Sequence, residues 1–201
     1  MDSHVPLAHL SLPVPAPLDD GVARWYENEL GWATAGGRPV QLPTGLRFDV
    51  LELPADAGFA LLRRHERTGP VAITGRVPRA GGRARMRLLV AAGSAEELPG
   101  LLDWLEWGGI GLDLTALGTG MRMSAPAPPG FPVAQGAARW VRPPEPGREV
   151  EPSLPTLAPV GQSAGPGGVG GTPDLVRLVA TAAHACHRAR LLRAAQPLAF
   201  S

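Results

Sequence analysis

Between Gly45 and Pro54 the chain reads Gly-Leu-Arg-Phe-Asp-Val-Leu-Glu-Leu-Pro, an apolar run that carries two carboxylates. Gly and Pro bound it and Phe, Val and Leu fill it, so it predicts a buried strand over about 46–53. Acidic side chains are rarely buried without a partner or a chemical task. A strand carrying two of them is one way to build a metal-dependent phosphoryl-transfer site. The spacing resists the simplest version. Side chains alternate across a strand, so Asp49 and Glu52 face opposite sides unless a bulge intervenes.

The 201 residues are 44% hydrophobic and 18% charged, which gives enough apolar material for one domain with a core and some extra segments. The 19 basic residues are all Arg, and the net charge is only +1, so no global field steers the chain toward nucleic acid. One cysteine, Cys186, excludes an intramolecular disulfide and fits a reducing compartment. The first residues lack the basic and long apolar regions of a signal peptide, and no stretch approaches the roughly 20 apolar residues of a membrane span. The expectation is a cytoplasmic protein with no membrane partner.

Along the chain, residues 1–18 are Pro-rich and expected to be disordered. A helix is predicted from Asp19 to Leu30, stopped by Gly31, and a short one from Phe59 to His65. Strands are predicted at Val71–Thr74, Met86–Val90, Ile110–Leu114, Met121–Ala125 and Ala138–Val141. Ser94 and Glu97 resemble a capping box ahead of a helix bearing Leu101, Leu102 and Leu105. Pro, Gly and acidic residues mark 146–171 as a linker. Thr172-Pro173-Asp174 then suits a helix start, and Leu175, Leu178, Val179, Ala182, Cys186 and Ala189 form one apolar stripe. The fold expected is α+β (α/β), a mixed central sheet flanked by helices over 19–145, with a tethered helix at 172–196.

Four segments, in order, carry a resemblance: Trp25-Tyr26…Leu30-Gly31-Trp32, Gly45-Leu46…Asp49-Val50…Glu52-Leu53-Pro54, Leu112-Asp113…Gly120…Ala125-Pro126, and Ala138-Arg139-Trp140. Together they resemble the bifunctional DNA primase/polymerase N-terminal (prim-pol) domain, in particular its short, stand-alone actinobacterial members. The resemblance implies a nucleotidyltransferase in which two acids of one strand and an Asp of a later strand hold divalent Mg or Mn, while a His after Gly-Gly contacts phosphate. Glu52 falls on the second acid of the first strand and Asp113 on the later one, with Asp49 one residue out of register. Gly81-Gly82 is followed by Arg-Ala-Arg-Met-Arg and no His. The resemblance therefore implies a catalytically degenerate domain, with no cofactor expected, that binds nucleic acid or nucleotide or acts in regulation. An active primase/polymerase using Mg or Mn and a structural protein-interaction module are the alternatives.

Each candidate residue has a simpler reading beside the functional one. Asp49, Glu52 and Asp113 form a metal cluster, or else Asp49 and Glu52 face water or pair with Arg47 or Arg87. Arg83, Arg85 and Arg87, with Arg76 and Arg79, form a phosphate-contacting loop or a solvated one. His184, Cys186 and His187 offer metal-ligand chemistry or belong to a packing helix. Trp104 and Trp107 stack on bases or fill the core. The C-terminal helix is a candidate dock for a protein partner.

Overall fold

The computed structural model describes residues 18–64, 67–75, 84–157 and 174–195. The expectations placed on residues 1–17, on Arg76, Arg79 and Arg83, and on 158–173 lie outside these.

The strand predicted around Asp49 and Glu52 is the centre of the molecule. It runs Phe48–Pro54 (β2) and pairs along its whole length with β4, Arg85–Ala91. On its other side lies β5, Thr115–Leu117. Beyond β4 come β3, Val71–Thr74, and β7, Arg139–Arg142, giving the order β5-β2-β4-β3-β7. Every pairing is antiparallel. The class is α+β, as expected, but the central sheet is antiparallel throughout and not mixed. A separate two-stranded ribbon joins β1, Gln41–Pro43, to β6, Arg122–Ser124.

Both faces of the sheet are covered, which explains why β2 reads as a continuous apolar run and not an alternating one. Leu51 and Leu53 face a layer made by α2 (Ala55–Leu62), α3 (Ser94–Trp104) and α4 (Leu175–Ala194). Phe48 and Val50 face the other way, toward α1 (Leu18–Glu29), the β1/β6 ribbon and the segment after β7. Tyr26 of α1 anchors this second layer. Its hydroxyl donates to the Pro126 carbonyl at 2.7 Å and accepts from the Trp140 indole at 3.0 Å. Burial pushes its phenol far above the ordinary value.

Two glycines set close approaches. Gly45 turns the chain into β2 at φ +84°, and an added Cβ would lie 2.3 Å from the Thr119 Cα. Gly58 lets α2 settle on β4, since a Cβ there would meet the Met86 sulfur at 2.3 Å. The helix begins at Ala55, ahead of the start predicted at Phe59.

Two organisational expectations need correction. Residues 146–157, predicted as the start of a linker, belong to the domain. Val150 and Leu154 are buried in the second core, and the Ala91 amide donates to the Pro155 carbonyl at 2.9 Å. The C-terminal helix, expected as a tethered element and a candidate dock for a partner, packs on the domain: its stripe from Leu175 to Ala189 is buried in the same core as Leu51, Leu53 and Leu61. Its N-cap is Asp174, which accepts from the Val176 amide at 2.8 Å and the Arg177 amide at 3.4 Å. Among the described residues no helix is long and apolar enough to cross a membrane.

Candidate functional site

Strand periodicity separates the two acids of β2. Asp49 shares a face with Leu51 and Leu53 and points into the helical layer, where it is 0% exposed. There it caps α3 from 46 residues away: the Ala95 amide donates to its Oδ2 at 2.9 Å. The capping box predicted from Ser94 does not form, because the N-cap residue is Gly93 with no side-chain bond of its own. A tertiary carboxylate supplies what the local sequence does not, at the positive end of the helix.

Asp49 Oδ1 is buried with no hydrogen bond. Burial is the main cause that raises its carboxyl pKa, countered by the Ala95 amide and reinforced by Glu96. The consequence for stability has a definite sign. An acid whose folded pKa lies above its unfolded one binds more protons folded than unfolded. Its contribution is fully present below the ordinary value of 3.8 and is lost as pH rises through the folded value. Asp49→Asn resembles the protonated acid at every pH. The variant should therefore gain on the wild type as pH rises from about 4 toward neutrality. Urea unfolding at successive pH values measures this difference, and a difference that is flat with pH would refute the burial account.

Glu52 lies on the opposite face, directly across from Arg87 in the β2–β4 register. Each carboxylate oxygen takes a different guanidinium: Oε1 accepts from Arg85 Nε at 3.1 Å and Oε2 from Arg87 Nε at 2.7 Å. Arg85 then reaches on, its Nη1 donating to Asp113 Oδ1 at 2.6 Å. Glu52, Arg85 and Arg87 are each about one-fifth exposed or less, while Asp113 is half exposed. Glu52 and Asp113 are thus brought to one place, joined through a cation of the protein's own.

A divalent metal needs carboxylate oxygens converging on one point with free lone pairs. Here Glu52 and Asp113 converge on the Arg85 guanidinium, and Asp49 is on the far side of the sheet. Among the described residues no group of three His, Cys, Asp or Glu side chains is placed to hold a metal ion. The donor set does not fit a two-metal centre, and no metal-dependent step is derived from it. Sequence reasoning raised Arg87 as a partner for Glu52 and did not foresee Arg85 as the link to Asp113. Arg47, the other partner considered, pairs instead with Glu151 at 2.8 Å.

Cys186, His184, His187 and Trp107 each make packing contacts within the domain. Cys186 is buried against the Asp113 backbone carbonyl, with Sγ 3.8 Å away. Burial first, and the Asp113 charge second, push its thiol up to about 12, which keeps it protonated and a poor metal ligand. Trp107 packs against both histidines of α4, with ring centroids 4.9 Å from His184 and 5.5 Å from His187. It locks the chain after α3 onto α4. Trp104 is left 72% exposed.

Two concavities lie away from the acid cluster. A cleft of about 590 Å³ opens between Thr68 and the segment after β7, lined in part by Arg142, Pro143 and Val150. Arg142 is held there by Thr68, donating to its hydroxyl at 2.6 Å and its carbonyl at 3.1 Å. A trough of about 320 Å³ runs between α2 and α4.

No family model, no curated protein and no solved structure matches this chain.

Proposed function

We propose that this chain is a non-catalytic nucleic-acid- or nucleotide-binding module on a prim-pol-like α+β domain. One observation carries the non-catalytic half: Arg85 stands between Glu52 and Asp113, bonded to both carboxylates. A guanidinium supplies charge neutralisation permanently, since it stays protonated at all relevant pH. It has no exchangeable site for substrate oxygens, which is what a metal contributes to phosphoryl transfer. The binding half is supported by exposed basic side chains outside that cluster. Arg63, Arg64, Arg122 and Arg188 are exposed and form no ion pair among the described residues.

The test is paired. A labelled single-stranded oligonucleotide and a nucleoside triphosphate are titrated at 50 and 200 mM salt. Primer extension is assayed with Mg²⁺ and with Mn²⁺. The expected result is binding that weakens by about tenfold or more across that salt range, with no nucleotide incorporated. Incorporation that Asp113→Ala abolishes would restore the active-enzyme reading. Absent or salt-insensitive binding would remove the binding one.

A further inference from the structure

The trough between α2 and α4 has a charge balance unlike the rest of the chain. Arg63 and Arg64 line it from the end of α2, and Arg188 lines it from α4. Asp56 is the acid on its wall, and that carboxylate is already engaged. Oδ1 accepts from the Ala57 amide at 2.8 Å, and Oδ2 lies 3.6 Å from Arg193 Nη1. Three guanidiniums without an ion-pair partner among the described residues thus face one concave space, in a chain whose net charge is only +1.

The floor explains the concavity. Ala57, Ala60, Ala185 and Ala189 line it, and such short side chains leave room above the α2–α4 contact. A concave wall with an excess of one sign concentrates its field, and unpaired guanidiniums offer planar forks that match phosphate oxygens. The volume lies at the small end of ligand sites and suits a short anion.

From this we infer that the α2–α4 trough binds phosphate groups, held by Arg63, Arg64 and Arg188, on the face of the sheet opposite Glu52 and Arg87. The inference deepens the reading above and rests on it for the ligand class. It moves the ligand away from the place where the family resemblance would seek it.

Calorimetric titration with sodium pyrophosphate and with ATP, both without divalent metal, tests it. The probes distinguish an inorganic from a nucleotide source of the phosphates. Arg188→Ala should weaken pyrophosphate binding about tenfold, and the triple variant Arg63→Ala/Arg64→Ala/Arg188→Ala should weaken it at least about a hundredfold. Arg139→Ala, which removes an equal charge elsewhere, should change it less than about twofold. All of these positions are exposed, so unchanged thermal unfolding verifies the fold of each variant. No pyrophosphate binding to the wild type, or equal losses in the triple variant and the Arg139 control, overturns the site. If ATP or oligonucleotide binds the wild type and the triple variant alike, the trough is wrong and the binding reading stands. If pyrophosphate binds in the trough but neither ATP nor oligonucleotide does, the trough stands and that reading falls.

Discussion

Removal of α4, by ending the chain at residue 173, should abolish cooperative unfolding. The helix contributes Leu175, Leu178 and Val179, each at most 2% exposed, together with buried Cys186 and four alanines. At about 1.5–3 kcal/mol for each large apolar side chain, the first three alone supply about 4.5–9 kcal/mol. That is comparable to the whole stability of an ordinary domain, about 5–15 kcal/mol. The loss is compounded on the other side of the contact, because Leu51, Leu53 and Leu61 lose part of their cover. Thermal melting followed by far-ultraviolet circular dichroism should show a broad, shallow change in place of a sigmoid. Adding a peptide of residues 174–195 should restore part of the transition by mass action. A truncated protein that melts cooperatively at the wild-type temperature would make α4 an accessory, and would return it to the role of a dock for another chain.

The apolar stripe of α4 was visible in the sequence, but its destination was not. Periodicity says that one face of a helix is buried and is silent on what buries it. The same limit explains the linker: Val150 and Leu154 are isolated apolar residues among Pro and Gly, and only the sheet beside them shows why they are there. β2 was legible because its apolar run is long, and the separation of Asp49 from Glu52 followed from a period of two. β5 was misplaced. Ile110 to Leu114 has the stronger apolar pattern, yet the strand is Thr115–Leu117, fixed by pairing Thr115 with Glu52 and Leu117 with Val50. The cap of α3 was unreadable locally because its acceptor, Asp49, comes from another element. At the acid cluster the residue types were legible and the pairing with Arg87 was considered. The Arg85 bridge was not, because it joins Glu52 and Asp113, 33 and 28 residues away in the chain.

Replacing Glu52 should be far more costly than replacing Asp113, although the family resemblance gives the two acids one shared task. Glu52→Ala removes the counter-charge of Arg87 and one of the two that hold Arg85, and both Arg side chains are at least three-quarters buried. Arg87 Nη1 is already buried without a partner, so this side of the cluster has no spare acceptor among the described residues. Breaking a fully buried pair costs about 3–5 kcal/mol. With some solvent reaching this cluster, about 2–4 kcal/mol is expected for Glu52→Ala. Asp113 is half exposed and bonded through one oxygen, so Asp113→Ala should cost under about 1 kcal/mol. Added salt should weaken the Asp113 contribution and leave most of that from Glu52, since buried charges are poorly screened. Urea unfolding at low and high salt measures both. A metal-binding cluster predicts the opposite sign without metal: crowded carboxylates repel, so removing either should stabilise the protein. If Glu52→Ala proves stabilising, Arg85 does not neutralise the cluster. If it is strongly destabilising while Asp113→Ala is nearly silent, Glu52 serves as the internal counter-ion of β4.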